Sequence, residues 1–280
     1  MINKTFAKFS LTAISLAFAS SCMKAPDLKA DFGPEVSNQE LAKLLSEVET
    51  PDPYTIKAGE YAYFTRSTNI ADQIYQIDQR WAYTITSKTE EANDYVFKYV
   101  KDLREYIDGH EKPSSYQHTV RLEKKPTNSI SSMTPTEFAK TFHQSAALDP
   151  IMTLGALNTN GSSIRPAGKR VTFHNAKLQK GHVPVPDFVQ NCGRLPSDKC
   201  RGALKAFTLS FDQVVWDGDQ GQKYSVSWLF SPDVPFFGST MFPDPPGVIQ
   251  SCSSTQLPYQ GQRIKVTQCD EIKDFTFGAD

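Results

Sequence analysis

The stretch YSVSWLF at residues 224–230 carries the clearest strand signal in the chain. Its large side chains fall at every second position: Tyr224, Val226, Trp228 and Phe230. An alternation with a period of two is typical of a β-strand that buries one face and leaves the other face wetter. The stretch therefore predicts a strand in a sheet that covers a core on one side.

Similar strand patterns extend outward on both sides of this stretch. Strands are predicted near residues 60–65, 74–86, 95–107, 116–123, 171–174, 207–211, 248–256 and 263–269. The segment DGDQG at 217–221 predicts the hairpin turn that precedes the stretch. The apolar phase slips by one position between Phe211 and Val214, which predicts a bulge near residues 212–213.

Two segments have helical features. The first begins with SNQE at 37–40, which has the form of a capping box. Apolar residues follow at the spacing of one helical face: Leu41, Leu44, Leu45 and Val48. The polar face of this helix is acidic, so we expect it to dock on the domain rather than lie along a membrane. A second helix is predicted from Thr136 to Leu148, after the helix-start signal Thr134-Pro135.

Together these patterns predict an α+β domain dominated by β-structure. We expect a curved antiparallel sheet, or an incomplete barrel or sandwich, with one or two helices packed against it. In architecture this expectation resembles the open-barrel envelope carriers of lipoproteins and lipids. A resemblance of architecture does not define a function.

Charge and motifs argue against several classes of protein. The chain has 30 basic and 31 acidic residues, a formal net charge of −1 and no long basic block, so nucleic acid is not a predicted partner. No Gly-x-Ser-x-Gly, Ser-x-x-Lys, His-Glu-x-x-His or phosphate-binding glycine motif occurs in the sequence. No catalytic residue, cofactor or metal is therefore predicted, and an enzyme is the less favoured reading.

The first twenty-two residues have the form of an export signal. Two lysines precede an apolar stretch from Phe9 to Phe18, and small residues then lead to Cys22. The run Ala19-Ser20-Ser21-Cys22 resembles the lipobox of bacterial lipoproteins, although the commonest lipobox has Leu where Ala19 stands. The resemblance implies cleavage before Cys22, a diacylglyceryl thioether on its sulfur, and a fatty acyl chain such as palmitate on its new amino group.

This resemblance also implies a cellular location and a domain organisation. Met23, in place of an aspartate, implies onward transfer to the outer membrane, facing the periplasm or the cell surface. The domain organisation is a signal peptide at 1–21, a lipidated tether with a short amphipathic helix at 22–58, and one antiparallel β-rich domain at 59–280. The alternative is ordinary cleavage after Ala19, which would release a soluble protein.

The number of cysteines favours lipid on Cys22. An exported chain meets an oxidising compartment, and removing Cys22 leaves four cysteines that can pair: Cys192, Cys200, Cys252 and Cys269. A final hairpin that turns near Tyr259-Gln260-Gly261 would place Cys252 directly opposite Cys269. The preferred pairing is Cys192 with Cys200 and Cys252 with Cys269, one of three connectivities.

A zinc site is the competing interpretation of these cysteines. It would use Cys192 and Cys200 with His174 and His182. The spacing between the two cysteines is longer than in zinc fingers, and export favours oxidation, so disulfides are the preferred prediction.

One proline-rich loop is unusually apolar. It contains Val234, Phe236, Phe237 and Phe242, which either close one end of the sheet or form a binding lip. The leading hypothesis is a non-catalytic envelope lipoprotein, attached to the membrane by lipid on Cys22, that binds an apolar small molecule or another envelope protein. The alternatives are an envelope hydrolase whose active site follows no known motif, and a purely structural or assembly lipoprotein.

Overall fold

A computed structural model of the chain describes residues 32–107, 109–124, 170–184, 203–235, 247–259 and 261–278. These residues form ten strands, one α-helix and one 3-10 turn at Pro53–Thr55. In chain order the elements are β1 (Glu35–Val36), α1 (Asn38–Ser46), β2 (Tyr61–Ile70), β3 (Ile74–Glu90), β4 (Asp94–Ile107), β5 (His110–Glu123), β6 (Arg170–Pro184), β7 (Ala203–Asp217), β8 (Gln220–Phe230), β9 (Val248–Tyr259) and β10 (Gln262–Thr276).

All ten strands belong to one antiparallel sheet. Its order is β1-β6-β7-β8-β9-β10-β2-β3-β4-β5, so the sheet is open, with β1 and β6 on one side and β5 at the other. The predicted β-dominated α+β class is thus confirmed, in its open form rather than as a closed barrel. The helix predicted from Thr136 to Leu148 lies outside the described residues.

Four short hairpin turns lie at the same end of the sheet, which we call the turn end. They join β2 to β3, β4 to β5, β7 to β8 and β9 to β10. The turn between β7 and β8 is the predicted one, with Asp217 paired to Gln220 and Gly218 at φ 60°. Positive φ suits glycine because it has no Cβ to clash with the backbone.

The strand that contains YSVSWLF buries the predicted face. Val226, Trp228 and Phe230 are at most 3 % exposed and lie opposite Phe211, Leu209 and Phe207 of β7. The helix α1 covers this part of the sheet: Leu41, Leu45 and Val48 belong to the same buried cluster. A second cluster is formed around β2, β3, β4 and β10 by residues that include Phe64, Trp81, Tyr83, Phe97, Tyr99 and Phe275.

Helix α1 confirms the capping-box prediction. The Ser37 hydroxyl accepts from the Glu40 backbone N–H at 3.2 Å, and the Glu40 carboxylate accepts from the Ser37 backbone N–H at 2.8 Å. These two bonds satisfy donors that the first helical turn would otherwise leave unpaired. Because Leu41 and Leu45 are fully buried, the apolar face of the helix packs on the domain, as predicted. No helix in the described ranges is long and apolar enough to cross a bilayer.

The bulge predicted near residues 212–213 of β7 is wrong. β7 pairs with β8 without a shift from Phe207 to Asp217. The irregularity lies on the neighbouring strand β6, where His174 faces Asp212 but Lys177 faces Ser210. The slip in apolar phase has another cause, since Val214 and Phe211 are both buried but lie on opposite faces of the sheet.

Candidate interaction surfaces

One predicted cysteine pair falls within the described residues. Cys252 and Cys269 are directly opposite each other in the β9–β10 register, and a disulfide joins them. They occupy the centre of the sheet, where Cys252 faces Ser227 of β8 and Cys269 faces Ser67 of β2. The disulfide therefore connects the two strands on which both halves of the sheet meet.

Most other predicted site residues lie outside the described ranges. These are Cys22, Cys192, Cys200, Phe236, Phe237 and Phe242. Val234 of the predicted lip is described, and it is 1 % exposed within the second cluster, where it packs with Ile56, Leu204 and Ile249. At Val234 the loop therefore contributes to the core.

His174, a candidate zinc ligand, has both ring nitrogens in use. Its Nδ1 lies 3.0 Å from the Gly33 carbonyl oxygen and its Nε2 lies 2.9 Å from Thr172 Oγ1. A carbonyl only accepts, so Nδ1 carries the proton and Nε2 accepts from the Thr172 hydroxyl. Thr172 Oγ1 in turn accepts from Trp216 Nε1 at 2.8 Å. The lone pair that a metal would need is occupied, and the described residues contain no cluster of metal-ligating side chains.

The first part of the β6 edge is covered by the chain that precedes α1. Strand β1 pairs with His174 and Phe173 of β6, and Phe32 packs edge-on against Trp216 at 5.5 Å. Asn175, in the bulge of β6, donates to the Phe32 carbonyl at 2.9 Å and to Asp212 Oδ2 at 2.8 Å. The positive φ of Asn175, 56°, is one that asparagine tolerates better than most residues.

Asp212 accepts hydrogen bonds from three side chains on two strands, β6 and β8. It accepts from Asn175, from Ser225 Oγ at 2.7 Å and from Lys223 Nζ at 3.0 Å. Burial alone would raise the pKa of Asp212, but these hydrogen bonds and the charge of Lys223 hold it below its ordinary value. Asp212 therefore joins the bulge of β6 to β8, and Asn175 links this group to the segment before α1 through the Phe32 carbonyl.

A polar cluster occupies the middle of the sheet on β2, β3 and β10. Arg66 binds Asp270 through two parallel hydrogen bonds, both of 2.7 Å, and the two side chains are 11 % and 10 % exposed. Asp78 accepts from Thr68 Oγ1 and from Gln76 Nε2. Burial raises the pKa of Asp270; the hydrogen bonds and charge of Arg66 oppose that rise, while the charge of Asp78 adds to it.

This cluster has some features of the acid pair that an envelope hydrolase would need. A pair of neighbouring carboxylates is one arrangement that acid–base catalysis uses. Here, however, both oxygens of Asp270 accept from Arg66, and both oxygens of Asp78 accept from Thr68 and Gln76. The carboxylates are held by donors of the protein itself, so the cluster acts as a buried polar joint between strands.

The aromatic face of the sheet is filled by its own side chains. Trp81 stacks on Phe64 at 5.6 Å, and Tyr83 packs edge-on against Tyr99 at 6.0 Å. Phe64, Trp81 and Phe97 are each at most 1 % exposed. Within the described residues this face forms an apolar core rather than a chamber for an apolar ligand.

Strand β5 forms the opposite edge, and it is exposed. It pairs with β4 from His110 to Glu123, and no strand of the described chain pairs with its outer side. Ser115, Gln117 and Thr119 are all exposed, as is Tyr116 at 49 %. A row of backbone donors and acceptors on such an edge is a template for another strand.

The register shows which residues of β5 present these groups. A two-residue turn joins Ile107 to His110, so this pair is hydrogen-bonded and the following pairs alternate. The odd-numbered residues of β5 then direct their backbone N–H and C=O groups away from β4. Pro113 agrees with this phase, because it has no N–H to donate to Arg104, its partner on β4. Among the described residues, Ser115, Gln117 and Thr119 thus form a ladder of backbone groups without a strand partner, which we call the unpaired ladder.

Sequence comparisons identify no family for this chain: no family model matches it, and no curated protein matches it significantly. Among solved structures, it is similar to a protein of Bacteroides fragilis named as exported and as having a YmcC-like fold, with 10 % identity and a TM-score of 0.30 over 81 % of this chain and 100 % of the other. A protein of Parabacteroides distasonis named as a lipoprotein has 6 % identity and a TM-score of 0.30 over 79 % and 98 %. Similarity at this level transfers no activity or ligand.

Proposed function

We propose that this chain is a non-catalytic lipoprotein of the cell envelope, and that it binds another envelope protein by adding a strand of that partner to β5. The observation that carries the binding role is the exposed outer edge of β5, with its unpaired ladder at Ser115, Gln117 and Thr119. Strand addition of this kind obtains affinity from main-chain hydrogen bonds and specificity from alternate side chains.

The proposed location in the cell envelope rests on the amino-terminal signal and on the disulfide. The lipobox-like run ends at Cys22, and the disulfide between Cys252 and Cys269 suits an oxidising compartment outside the cytoplasm. One acyl chain binds a membrane only marginally, whereas the two or three chains of a lipoprotein anchor it stably. Outer-membrane attachment through Cys22 is part of the proposal.

A protein partner is favoured over an apolar small molecule by the contrast between the core and the edge. The aromatic face is already packed, whereas the ladder on β5 is open. The side chains of β5 are mostly polar, so the strand resists nonspecific aggregation while it keeps its backbone groups free for a specific partner.

The anchor is tested on the protein purified from the membranes of an organism that processes lipoproteins. Mass spectrometry of the mature amino terminus is expected to find a lipid-modified Cys22. The Cys22→Ser variant is expected to leave the membrane fraction. An unmodified terminus at Ser20 would show that the alternative cleavage after Ala19 is the real one.

The binding edge is tested by photo-crosslinking in cells, with a photoreactive amino acid at Thr119 and a matched control at Lys177, an exposed residue of β6 on the opposite edge. We expect an adduct with a second protein from Thr119 and none from Lys177. Gln117→Pro, which removes an outward N–H without removing a bond to β4, should abolish the adduct, whereas Gln117→Ala should retain it.

Two controls make this result interpretable. Circular dichroism and an intact disulfide between Cys252 and Cys269 verify that the proline variant is folded. An adduct within the same chain, or equal adducts from both edges, would overturn the assignment of β5 as a partner site.

A further inference from the structure

Exposed apolar side chains concentrate at the turn end of the sheet. Five large hydrophobic side chains are exposed in the described residues, and four of them lie at or beside hairpin turns: Ile74 (55 %), Tyr75 (63 %), Ile107 (39 %) and Tyr259 (47 %). The fifth, Tyr116, lies in the middle of β5. We call the first four the apolar rim.

The strand register arranges the apolar rim as an oblique line. Tyr259 pairs with Gln262, which is four residues beyond Val266, the partner of Ile70 at the next turn. On the other side of this turn, Glu105 pairs with Gln79, and Gln79 pairs with Arg66, so Glu105 and Arg66 lie at the same level of the sheet. Ile107 is two residues beyond Glu105 and therefore lies at the level of Thr68, which is two residues short of Ile70. From Tyr259 to Ile107 the apolar rim therefore shifts by six residues along the strand direction, about 20 Å, while it crosses four strand spacings, about 19 Å. A flat surface can touch all three turns if the strands tilt by roughly 45° from its normal.

The described chain also begins at the turn end. Phe32 packs against Trp216 and lies beside Gly221, next to the turn between β7 and β8. Ten peptide units separate Phe32 from Cys22, and a chain of that length spans at most about 36 Å. A lipid on Cys22 therefore keeps the turn end, rather than the far end of the long strands, close to the bilayer.

From these observations we propose that the turn end rests on the membrane, with the apolar rim inserted into the interface between lipid headgroups and acyl chains. The inference depends on the lipid at Cys22 proposed above. Tyrosine is suited to this position because its ring is apolar and its hydroxyl reaches water and headgroups. Both acidic and basic residues occur at or beside these turns, among them Asp72 and Asp219 and also Arg263 and Lys265, so we take apolar burial rather than net charge as the driving interaction.

The experiment uses the full lipidated chain in phosphatidylcholine vesicles, with and without brominated acyl chains, which quench tryptophan on contact. Tyr259→Trp and Tyr75→Trp each place a probe on the apolar rim. Tyr116→Trp is the matched control, because Tyr116 is as exposed as Tyr259 but lies away from the turns. Trp81 and Trp228 are 1 % exposed, and with Trp216 they supply the background that the unsubstituted protein measures.

We expect brominated lipid to reduce the emission added by Tyr259→Trp and Tyr75→Trp, and to leave the emission added by Tyr116→Trp unchanged. Two rim probes are used so that a folding defect in one variant does not decide the result. Equal quenching at all three positions, or none at either rim position, would overturn the proposed orientation. Loss of rim exposure through self-association, seen as dependence on protein concentration without quenching, would assign the rim to a second copy instead.

The outcomes also separate this inference from the proposed anchor. If the unsubstituted protein does not remain with the vesicles, or remains equally well as Cys22→Ser, the lipid anchor itself is wrong and the orientation falls with it. If the protein is anchored through Cys22 but the rim probes are unquenched, only the orientation is wrong.

Discussion

The two edges of the sheet differ in how their backbone groups are treated. At β6, the segment before α1 adds strand β1, Phe32 covers Trp216, and Lys180 of the strand pairs with Glu47 at the end of α1 at 3.1 Å. At β5, the described chain adds neither a strand nor a helix. The chain therefore covers the first part of the β6 edge, whereas no described residue covers the outer side of β5.

The difference shows how a long antiparallel sheet can have open edges and still avoid nonspecific association. An unprotected edge invites association, and proteins protect such edges with covering segments, bulges, charges and prolines. The β6 edge uses a covering segment and a bulge at Asn175, whereas the β5 edge relies on Pro113 and polar side chains. Charges and a proline discourage indiscriminate pairing but permit a matched strand, which is the property that the proposed function requires.

The largest expected effect is on the cover of the β6 edge. Leu45 of α1 is fully buried, so Leu45→Ala should lower the free energy of unfolding by about 2–5 kcal/mol through lost burial and a cavity. Leu44→Ala is the matched control, because Leu44 is only partly buried on the same helix. Urea denaturation measures both variants, and a loss at Leu45 no larger than the loss at Leu44 would contradict this argument from burial.

Removing the disulfide should weaken the junction that connects the two edges. Cys252 and Cys269 are 17 residues apart in sequence, and closing a loop of that size stabilises a protein by about 3 kcal/mol. We expect the Cys252→Ser, Cys269→Ser double variant to lose about that amount in denaturant unfolding. A variant as stable as the oxidised parent protein would contradict a stabilising role for this bridge.

The bulge at the β6 edge should depend on Asn175 both for its bonds and for its conformation. Asn175→Ala should cost about 1–3 kcal/mol, since it loses two hydrogen bonds and places at positive φ an alanine, which tolerates that conformation less well than asparagine. Asn175→Gly loses the same bonds without that strain and should be less destabilised. Thermal or urea unfolding of the pair separates the two contributions; the opposite ranking would contradict the strain argument.

Asp212 and Asp270 should make opposite contributions to the pH dependence of the free energy of unfolding. The pKa of Asp212 is lowered in the folded protein, so its contribution is present above its ordinary pKa and is lost as the pH falls through the folded value. The pKa of Asp270 is raised, so ionising it costs stability as the pH rises from its ordinary pKa to the folded value. Relative to the parent, Asp212→Asn should lose less stability on acidification, and Asp270→Asn should lose more. Unfolding curves between about pH 5 and pH 2 measure both slopes.

The smallest expected effect is on the open edge. Tyr116 is 49 % exposed, so Tyr116→Ser should change the free energy of unfolding by no more than about 0.5 kcal/mol. The difference between the losses of unfolding free energy in Leu45→Ala and in Tyr116→Ser then measures the contrast between the two edges. A loss of several kcal/mol at Tyr116 would mean that the edge is covered in the folded protein and cannot serve as the proposed partner site.

Much of the local structure could be predicted because it depends on neighbouring residues. The capping box at Ser37, the turn at Asp217 and the alternation of residues 224–230 are all short-range patterns, and the structure confirms them. The opposition of Cys252 and Cys269 was also predictable, since a tight hairpin fixes the register of its two strands. Lipid on Cys22, the pairing of Cys192 with Cys200, and the roles of Phe236, Phe237 and Phe242 remain predictions.

The bulge shows where such reasoning fails. A slip in apolar phase on one strand has two explanations, an extra residue or burial of both faces, and only the pairing partner distinguishes them. Here the extra residue lies between His174 and Lys177 of β6, more than thirty residues before Phe211. The edge role of β5 could not be predicted for the same reason, because the order of strands in a sheet depends on distant pairings.

Short-range patterns in the sequence already specified the strand-rich composition, the capped helix and the hairpin turns, because each depends on residues that are close together in the chain. Other features could be seen only in the folded chain: the cover over the first part of β6, the outer side of β5 that no described strand pairs with, the links of His174 and, through Asn175, of Asp212 to the segment before α1, and the exposed apolar side chains at the turn end. These features arise from contacts between residues far apart in the chain, which are set by the packing of the whole sheet.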